Sequence, residues 1–241
     1  MEKFELYEVG GCVRDELLGI KSKDIDYSFV FKEIDNNLTP EDYFIKMKNC
    51  LIEIGVTIYQ ERPDCFTIRG KLNNKDVDFV MARKEIYSNP KSRIPIVEMG
   101  TLYDDQCRRD FTVNSIAKDF DGNIIDLFDG VKDLNDGILR TPTDAVTSLH
   151  ADPLRILRAF RFKITKHLVF SDDLSNAICN FEVERLELVS TERVREELFK
   201  MFKHCTIRSL NLFYWLRNNN YDLFKNIFDE RGISLEPTLK K

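Results

Sequence analysis

The sequence lacks the cysteine and histidine patterns that build disulfide frameworks and metal sites. Its six cysteines are scattered without a CxxC pair, and its three histidines do not stand at metal-ligand spacing. A disulfide framework is typical of shorter, secreted chains. We therefore expect the thiols to be reduced.

Long apolar runs and an excess of positive charge are also missing. No run approaches membrane-spanning length, and residues 1–5 contain no apolar segment of the signal-peptide type. The net charge of −5 argues against non-specific coating of nucleic acid, but it allows RNA binding through a local basic patch. These absences predict a soluble, cytoplasmic protein with no membrane partner.

The composition that remains is that of a globular protein in two parts. The chain has 241 residues, of which 43% are hydrophobic and 32% charged, so it can bury a sizeable core. Strand and helix patterns alternate in the first part, and after Asp152 amphipathic helical patterns follow with almost no glycine. We expect an α+β chain. The predicted strands are 4–9, 25–31, 65–70 and 77–82, the predicted helix is 40–54, and 84–106 is predicted to be a long loop.

The segment around Gly10 and Gly11 has the layout of a phosphate-binding turn. Both glycines stand where a predicted strand passes into a helical segment. Glycine allows a sharp turn and a close approach of the backbone to a ligand, and a helix N-terminus offers free N–H groups to phosphate. A plain turn would have the same pattern, so the glycines alone do not decide.

Two aspartates follow this turn. At positions i and i+2 of a strand, Asp24 and Asp26 project their carboxylates from the same face. Such a pair in a protein interior needs a cation, and two carboxylates that bridge Mg²⁺ ions can activate a hydroxyl and stabilise a pyrophosphate leaving group. The alternative is an exposed edge strand with solvated acids, which the apolar residues 27–31 argue against.

A second acid pair, Asp76 and Asp78, lies on a later predicted strand. Asp78 is deeper in the apolar run and is a candidate third carboxylate of the site. A half-exposed strand whose acids are solvated at its entry has the same alternation. Both interpretations of Asp78 stay open at this point.

Arginines are concentrated in two further segments. Arg108 and Arg109 follow the predicted loop and precede an apolar segment, a placement that suits binding of a triphosphate. In 152–162, Arg155, Arg158 and Arg161 fall on one arc of a helix that is predicted to have Asp152 at its N-cap and Pro153 at its first position. Spacing does not separate a solvated basic face from one that binds nucleotide.

Together these segments resemble class II tRNA nucleotidyltransferases (CCA-adding enzymes) and bacterial-type poly(A) polymerases. The matches occur in the family's order: GGxVRDxLLG with DxD, RRDFTxN, DPLRILRAFRF and the STERVREEL run at 190–198. The resemblance implies a nucleotidyltransferase-type head with a five-stranded mixed sheet over 1–140, followed by an all-α neck over 141–241. It also implies that 84–106 is the flexible loop linked to the switch from C to A addition.

The resemblance also assigns roles to individual residues. Asp24 and Asp26 would bind catalytic Mg²⁺, whereas Asp78 is a candidate catalytic carboxylate on its strand position alone. The remaining assignments concern the incoming nucleotide: Gly10, Gly11 and Arg14 would contact it, Arg109 would bind its phosphates, Asp152 and Arg155 would read the base of CTP or ATP, and Arg158 and Arg161 would add further contacts.

The chain departs from the family pattern at two places. Ala151 stands where the base-reading motif usually has a second acid, and the chain stops at residue 241, shortly after the neck would end. We therefore expect the family's body and tail domains to be absent. A second copy of the chain or a partner protein is left open as a source of RNA-anchoring surface.

The predicted function is template-independent addition of C and A residues to the 3′ end of tRNA from CTP and ATP, with release of pyrophosphate. Poly(A) polymerase activity and partial, A-adding or CC-adding, activity are the alternatives within the same class. A non-catalytic module that binds nucleotide or RNA is the alternative from a different class, and the intact DxD argues against it.

Overall fold

The structure is a computed structural model and describes residues 4–22, 24–35, 37–86 and 95–233. Within them the chain forms two compact units, and the division falls between Asn135 and Asp136. The first unit is built on a mixed β-sheet and the second mainly on helices, so the predicted α+β class is confirmed. No helix within these ranges combines the length and apolarity needed to cross a bilayer.

The first unit contains a sheet that is larger than predicted. The strands of the unit are β1 (Phe4–Val9), β2 (Ile25–Phe31), β3 (Thr57–Arg62), β4 (Thr67–Leu72), β5 (Lys75–Met81), β6 (Arg83–Ile86), β7 (Ile96–Met99), β8 (Ile116–Lys118) and β9 (Ile124–Asp126). Its helices are α1 (Gly11–Leu17), α2 (Pro40–Glu53), α3 (Leu102–Cys107) and α4 (Gly130–Asp136). Seven strands form one sheet in the order β3-β4-β5-β2-β1-β8-β9, instead of the five that the resemblance implied.

The centre of this sheet separates an apolar face from a polar one. β2 and β5 are parallel neighbours, and the other strand pairs of the sheet are antiparallel. Side chains alternate between the two faces of a strand. Tyr27, Phe29 and Phe31 of β2 therefore pack into the core together with Phe79 of β5. The even-numbered residues of both strands, which include Asp26, are left on the opposite face.

Helix α2 covers the apolar face and has a well-defined start. Thr39 accepts a hydrogen bond from the backbone N–H of Asp42 at 3.2 Å, and the Asp42 carboxylate accepts one from the Thr39 N–H at 2.9 Å. This reciprocal cap satisfies two N–H groups that a helix leaves without partners. Four of the apolar residues that stand at helical spacing in 40–54 are buried, namely Tyr43, Phe44, Met47 and Leu51. Ile54 follows the helix and is exposed.

The predicted loop over 84–106 is wrong as a description of the whole segment. β6 and β7 pair as an antiparallel hairpin in which Arg83 lies opposite Met99. Helix α3 follows, and Thr101 caps it through reciprocal hydrogen bonds with Asp104. Both strands have only four residues, and each forms because it pairs with the other. Apolar alternation within so short a segment does not reveal this pairing. The remaining part, 87–94, lies outside the described residues.

The second unit is a helical bundle with a small strand pair. Its helices are α5 (Ala145–Ala151), α6 (Leu154–Thr165), α7 (Asp172–Cys179), α8 (Thr191–His204), α9 (Thr206–Asn219) and α10 (Tyr221–Phe228). β10 (Ile138–Leu139) and β11 (Val169–Phe170) form a parallel pair. Helices α6 and α8 pack extensively against each other, with Ile156, Phe160 and Met201 fully buried.

Helix α6 starts one residue later than predicted. Its first residue is Leu154 and Pro153 occupies the N-cap, whereas the sequence pattern placed Asp152 at the cap. The Asp152 carboxylate still accepts a hydrogen bond from the Leu154 N–H, at 3.3 Å. Asp152 itself ends α5 in an extended conformation, and this fixes the turn between the two helices.

Candidate active site

Two carboxylates meet on the polar face of the central sheet. Asp26 of β2 lies directly opposite Asp78 of β5 in the parallel register. Asp26 is half-buried, whereas Asp24 precedes β2 and is exposed. Asp78 is also bound to Arg69, whose Nε lies 3.0 Å from Asp78 Oδ2. The structure thus brings the three predicted carboxylates to one end of two adjacent strands.

The pKa of Asp26 reflects its burial and its charged neighbours. Burial raises the pKa of Asp26, and the neighbouring Asp78 charge raises it further, while Arg109 acts in the opposite direction. A bound cation would reverse this shift. Carboxylate oxygens are the ligands that a hard divalent ion prefers, and Mg²⁺ sites commonly combine one or two carboxylates with substrate phosphates. The residues therefore fit such an ion.

A complete metal cage is not formed by side chains alone. In the part of the chain that the structure describes, no group of three or more histidine, cysteine, aspartate or glutamate side chains is arranged to hold a metal ion. This agrees with a centre in which a phosphate-bearing ligand supplies the remaining oxygen atoms.

The glycine turn approaches the same carboxylates. Gly10 caps α1 with a φ of 77°, a left-handed conformation that favours glycine. A Cβ atom added there would lie 3.0 Å from Arg109 Nη1 and 3.8 Å from Asp26 Oδ2. A Cβ atom at Gly11 would lie 3.4 Å from Arg14 Nη2. Both glycines therefore leave space that guanidinium groups border.

Arg109 is held in place by a buried acid. Its Nη2 donates to Asp105 Oδ2 at 2.8 Å, and Arg108 Nη2 donates to Asp105 Oδ1 at 2.5 Å. Burial alone would raise the pKa of Asp105, but the attraction of Arg108 and Arg109 outweighs it and holds that pKa well below its usual range. The Nε atom of Arg109 is buried and has no hydrogen-bond partner in the described structure.

Arg14 is used for internal contacts. It is 7% exposed, its Nη1 donates to Asn114 Oδ1, and its Nε donates to Asp15 Oδ1 at 2.9 Å. Asn114 also receives a hydrogen bond on its backbone oxygen from Arg109 Nη1, at 3.4 Å. These contacts connect the glycine-turn helix to the Arg109 segment, so Arg14 shapes the site by positioning its neighbours.

A pocket of about 330 Å³ opens over these groups. Its lining includes Asp26, Asp78, Arg83, Arg108 and Arg109. Arginines border one side of the pocket's two carboxylates, which is the charge arrangement expected for a polyphosphate bound through a divalent cation.

The second unit holds the predicted base-reading residues. Arg155 is 9% exposed, so a fully solvated position is excluded for it. Its Nη1 donates to Ser148 Oγ of α5 at 2.6 Å. Asp152 Oδ2 lies 3.9 Å from Arg193 Nη2 of α8. The two side chains are thus oriented by neighbouring helices, each through a different partner.

The other two arginines of α6 differ in their surroundings. Arg161 Nε donates to Glu197 Oε2 at 2.6 Å, and Glu197 is almost fully buried in α8. Its guanidinium also lies 4.8 Å from the Phe162 ring. Arg158 is half-exposed, and its charge helps to lower the pKa of Glu197. Arg161 therefore connects α6 to α8.

Four residues that complete these sites were missed by the sequence reasoning. Asp105 stands three and four positions before Arg108 and Arg109, a helical spacing for ion pairs that could have identified it. Asn114 and Glu197 act across long sequence separations, and Ser148, seven residues before Arg155, lies on a different helix. No local sequence pattern predicts those contacts.

The poly A polymerase head domain family matches residues 6–140, more than half of the chain. The chain belongs to this family. The match covers the glycine turn, the carboxylates on β2 and β5, and the Arg109 segment. The expectation from the sequence motifs is confirmed at the level of the family.

Relatives of this head-domain family member cover both of its units. The tRNA nucleotidyltransferase cca2 of Schizosaccharomyces pombe is 34% identical over 226 residues, which is 87% of this chain and 46% of the relative. The Bacillus stearothermophilus CCA-adding enzyme in complex with CTP has a TM-score of 0.70 at 28% identity and covers 87% of this chain and 47% of its own.

A third relative was solved with RNA. The Thermotoga maritima CCA-adding enzyme complexed with tRNA has a TM-score of 0.70 at 26% identity and covers 94% of this chain and 49% of its own. The chain thus spans about half the length of the relatives that it matches. Nucleotidyltransferases of this family generally use a divalent metal ion, in agreement with the carboxylates on β2 and β5.

Replacing Asp105 by Asn should remove a pH-dependent part of the stability of this head domain. The pKa of Asp105 is lower in the folded protein than in the unfolded chain, where it is about 3.9. Its ionised form therefore stabilises the fold above about pH 4, and this contribution is lost as the pH falls towards the folded pKa. In urea unfolding at pH 7 we expect the variant to lose about 3 to 5 kcal/mol.

The deficit should shrink as the pH is lowered below about 4. Asp64→Asn, at an exposed position of the same unit, is the control and should change stability little. A deficit of equal size at pH 7 and at about pH 2.5 would contradict the ion-pair assignment.

Proposed function

We propose that the chain is a template-independent RNA nucleotidyltransferase that adds C and A residues to the 3′ end of tRNA from CTP and ATP and releases pyrophosphate. The observation that carries the proposal is the pairing of Asp26 with Asp78 across adjacent parallel strands, beside Arg109 and the Gly10 turn. The relatives named as CCA-adding enzymes and tRNA nucleotidyltransferases support the choice of substrate.

The first unit would bind and orient the triphosphate. Asp24 and Asp26 would hold Mg²⁺, with Asp78 beside them, and the ion would lower the pKa of the RNA 3′-hydroxyl and neutralise the departing pyrophosphate. Arg109, held by Asp105, would bind the phosphates from the wall of the pocket. The turn at Gly10 would leave room for the phosphates, since a side chain there would meet Arg109.

The second unit would select the base. Arg155 offers N–H donors and Asp152 offers carboxylate acceptors, so together they can pair with the edge of CTP or ATP. Ser148 fixes the direction of the Arg155 guanidinium, and Arg193 lies close to Asp152. Arg158 would contact the nucleotide from its half-exposed position. Arg161 would act through its connection to Glu197, although the sequence motif assigned it a direct contact.

Poly(A) polymerase activity is the second candidate, since the matching family is described as a poly A polymerase head domain. One assay separates it from the first. A tRNA that ends before CCA is incubated with CTP alone, with ATP alone and with both, and the products are sequenced. Completed CCA ends support the proposal. A long A tail indicates poly(A) polymerase, a CC or single-A product indicates a partial enzyme, and no extension contradicts all three.

Asp26→Asn should separate catalysis from folding. The pKa of Asp26 is raised in the folded protein, so its charged form opposes folding at pH values above that pKa. The variant should lose at least about a hundredfold of nucleotide incorporation. In EDTA at pH 7 its melting temperature should equal or exceed that of the wild type, and any gain should disappear towards pH 4.

Asp121→Asn, at an exposed position before β9, should leave both properties unchanged. Incorporation at the wild-type rate by Asp26→Asn would remove this carboxylate from the catalytic centre. A large drop in melting temperature at pH 7 would instead assign Asp26 a structural role.

Ser148→Ala should weaken the choice between CTP and ATP. The variant loses the hydrogen bond from Arg155 Nη1, and a hydrogen bond to a charged group is worth about 1.5 to 3 kcal/mol. We expect the ratio of kcat/KM for CTP to that for ATP to change about tenfold, since about 1.4 kcal/mol corresponds to that factor.

Arg155→Lys should show a change in the same direction, because lysine cannot reproduce a planar set of donors. Thr147→Ala, the exposed neighbour of Ser148 on α5, is the control. Selectivity that is unchanged in both variants would rule out base reading by Arg155.

A further inference from the structure

A groove that none of the assigned roles uses lies at the C-terminal end of α6. Its volume is about 530 Å³, and it is bordered by the end of α6, by β11 and by α9. The residues that define its chemistry are Lys163, His167, Phe170, Arg208, Asn211 and Trp215. The site residues of the second unit, Asp152 and Arg155, are not among its lining residues.

The charged groups of this groove are all basic. Among the residues that the structure describes, Lys163 and Arg208 line it and no aspartate or glutamate does, although the chain as a whole has a net charge of −5. Arg208 Nη1 lies 2.5 Å from His167 Nδ1, and since a guanidinium only donates, that ring nitrogen accepts. His167 therefore orients Arg208 at the rim of the groove. The charge pattern favours an anionic ligand.

Lys163 lies at the aromatic side of the groove. Its Nζ lies 4.7 Å from the centroid of the Phe170 ring, and burial lowers the pKa of its ammonium group. An ammonium that has lost part of its hydration gains from a nearby anion.

Two half-buried aromatic rings form the floor of the groove. The Phe170 and Trp215 rings are 6.2 Å apart between centroids and inclined by 56°. The rings offer apolar surface against which a planar base can stack, and such stacking tolerates any base. Cations beside exposed aromatic surface are the combination that binds single-stranded nucleic acid.

The other large cavity of this unit has a different character. It is lined by Arg140 and His150 together with the acids Asp144 and Asp173. Carboxylates at its border would repel a phosphodiester backbone. The absence of acids is therefore a distinguishing property of the groove beside Trp215.

We propose that the groove beside Trp215 binds a single-stranded segment of the RNA substrate, with a base against Trp215 and Phe170 and with backbone phosphates at Lys163 and Arg208. That this RNA is the substrate of the enzyme rests on the proposed function. That the groove binds single-stranded RNA rests only on its lining residues. Lys163 and Arg155 are eight residues apart on α6, so the groove lies about 12 Å along the helix axis from the base-reading end. RNA held there would be anchored on the same rigid helix that selects the nucleotide.

The single tryptophan of the chain makes the groove directly observable, because Trp215 is the only source of indole fluorescence. The wild-type protein is titrated with a single-stranded RNA octanucleotide without metal or nucleoside triphosphate. We expect saturable quenching of the tryptophan emission. The same titration with a fully paired RNA duplex and with an acidic peptide should give little quenching. Absence of quenching by the octanucleotide, or equal quenching by the acidic peptide, would overturn the proposal.

Charge variants test the phosphate contacts in the same titration. The double variant Lys163→Gln, Arg208→Gln should bind the octanucleotide more weakly, and its log–log dependence on salt should be less steep by about 1.4 for two lost phosphate contacts. The matched control, Lys203→Gln with Arg217→Gln, removes the same charge from exposed positions outside the groove and should match the wild type. Equal weakening in both pairs would overturn the proposal.

Trp215→Leu tests stacking while an apolar side chain is kept. Binding of end-labelled octanucleotide, measured by fluorescence anisotropy, should weaken between about fivefold and a hundredfold. Tyr214→Leu, at an exposed neighbouring position, is the control. None of these measurements requires nucleotide addition, so failure of the groove and failure of the proposed activity are distinguishable. Unchanged affinity of Trp215→Leu would overturn the stacking role even if the chain extends tRNA.

Discussion

Repulsion between two carboxylates on neighbouring parallel strands is the constraint on which the first unit depends. Asp26 and Asp78 are held opposite each other by the hydrogen bonds of β2 and β5, so neither can withdraw without disrupting the centre of the sheet. Burial raises the pKa of Asp26, and the charge of Asp78 raises it further. A divalent cation bound beside the pair would relieve this unfavourable interaction.

The arginines around this pair are also held in fixed positions by the fold. Asp105 is fully buried and binds two guanidinium groups at once. Arg108 and Arg109 are thereby held at the wall of the pocket that Asp26 and Asp78 also line, and the charge of Arg109 partly offsets the rise in the pKa of Asp26. The second unit repeats this design with Ser148, which holds Arg155.

Patterns confined to one element were predictable from the sequence, and contacts between elements were not. The bounds of β1 and β2 agree with the prediction because their aromatic and aliphatic residues continue through each strand. β3 was missed, since it is an edge strand with mostly exposed, polar residues and has no apolar alternation to recognise. The placement of Asp26 and Asp78 on one face followed from the period of a strand, whereas Asp24 precedes β2 instead of lying on it. The partners of Arg14 and Arg155 depend on tertiary packing, which spacing along the chain does not encode.

The parallel register of β2 and β5 also limits where residues can be inserted into or deleted from the chain. Deleting one residue within β5 would rotate Asp78 into the core beneath α2 and turn Phe79 towards the arginines. Such a deletion would place a charge in the apolar core and remove one from the polar face of the sheet in a single step. Insertions and deletions should therefore be confined to turns such as Asn73–Asn74, where positive φ angles mark a tight hairpin outside the paired strands.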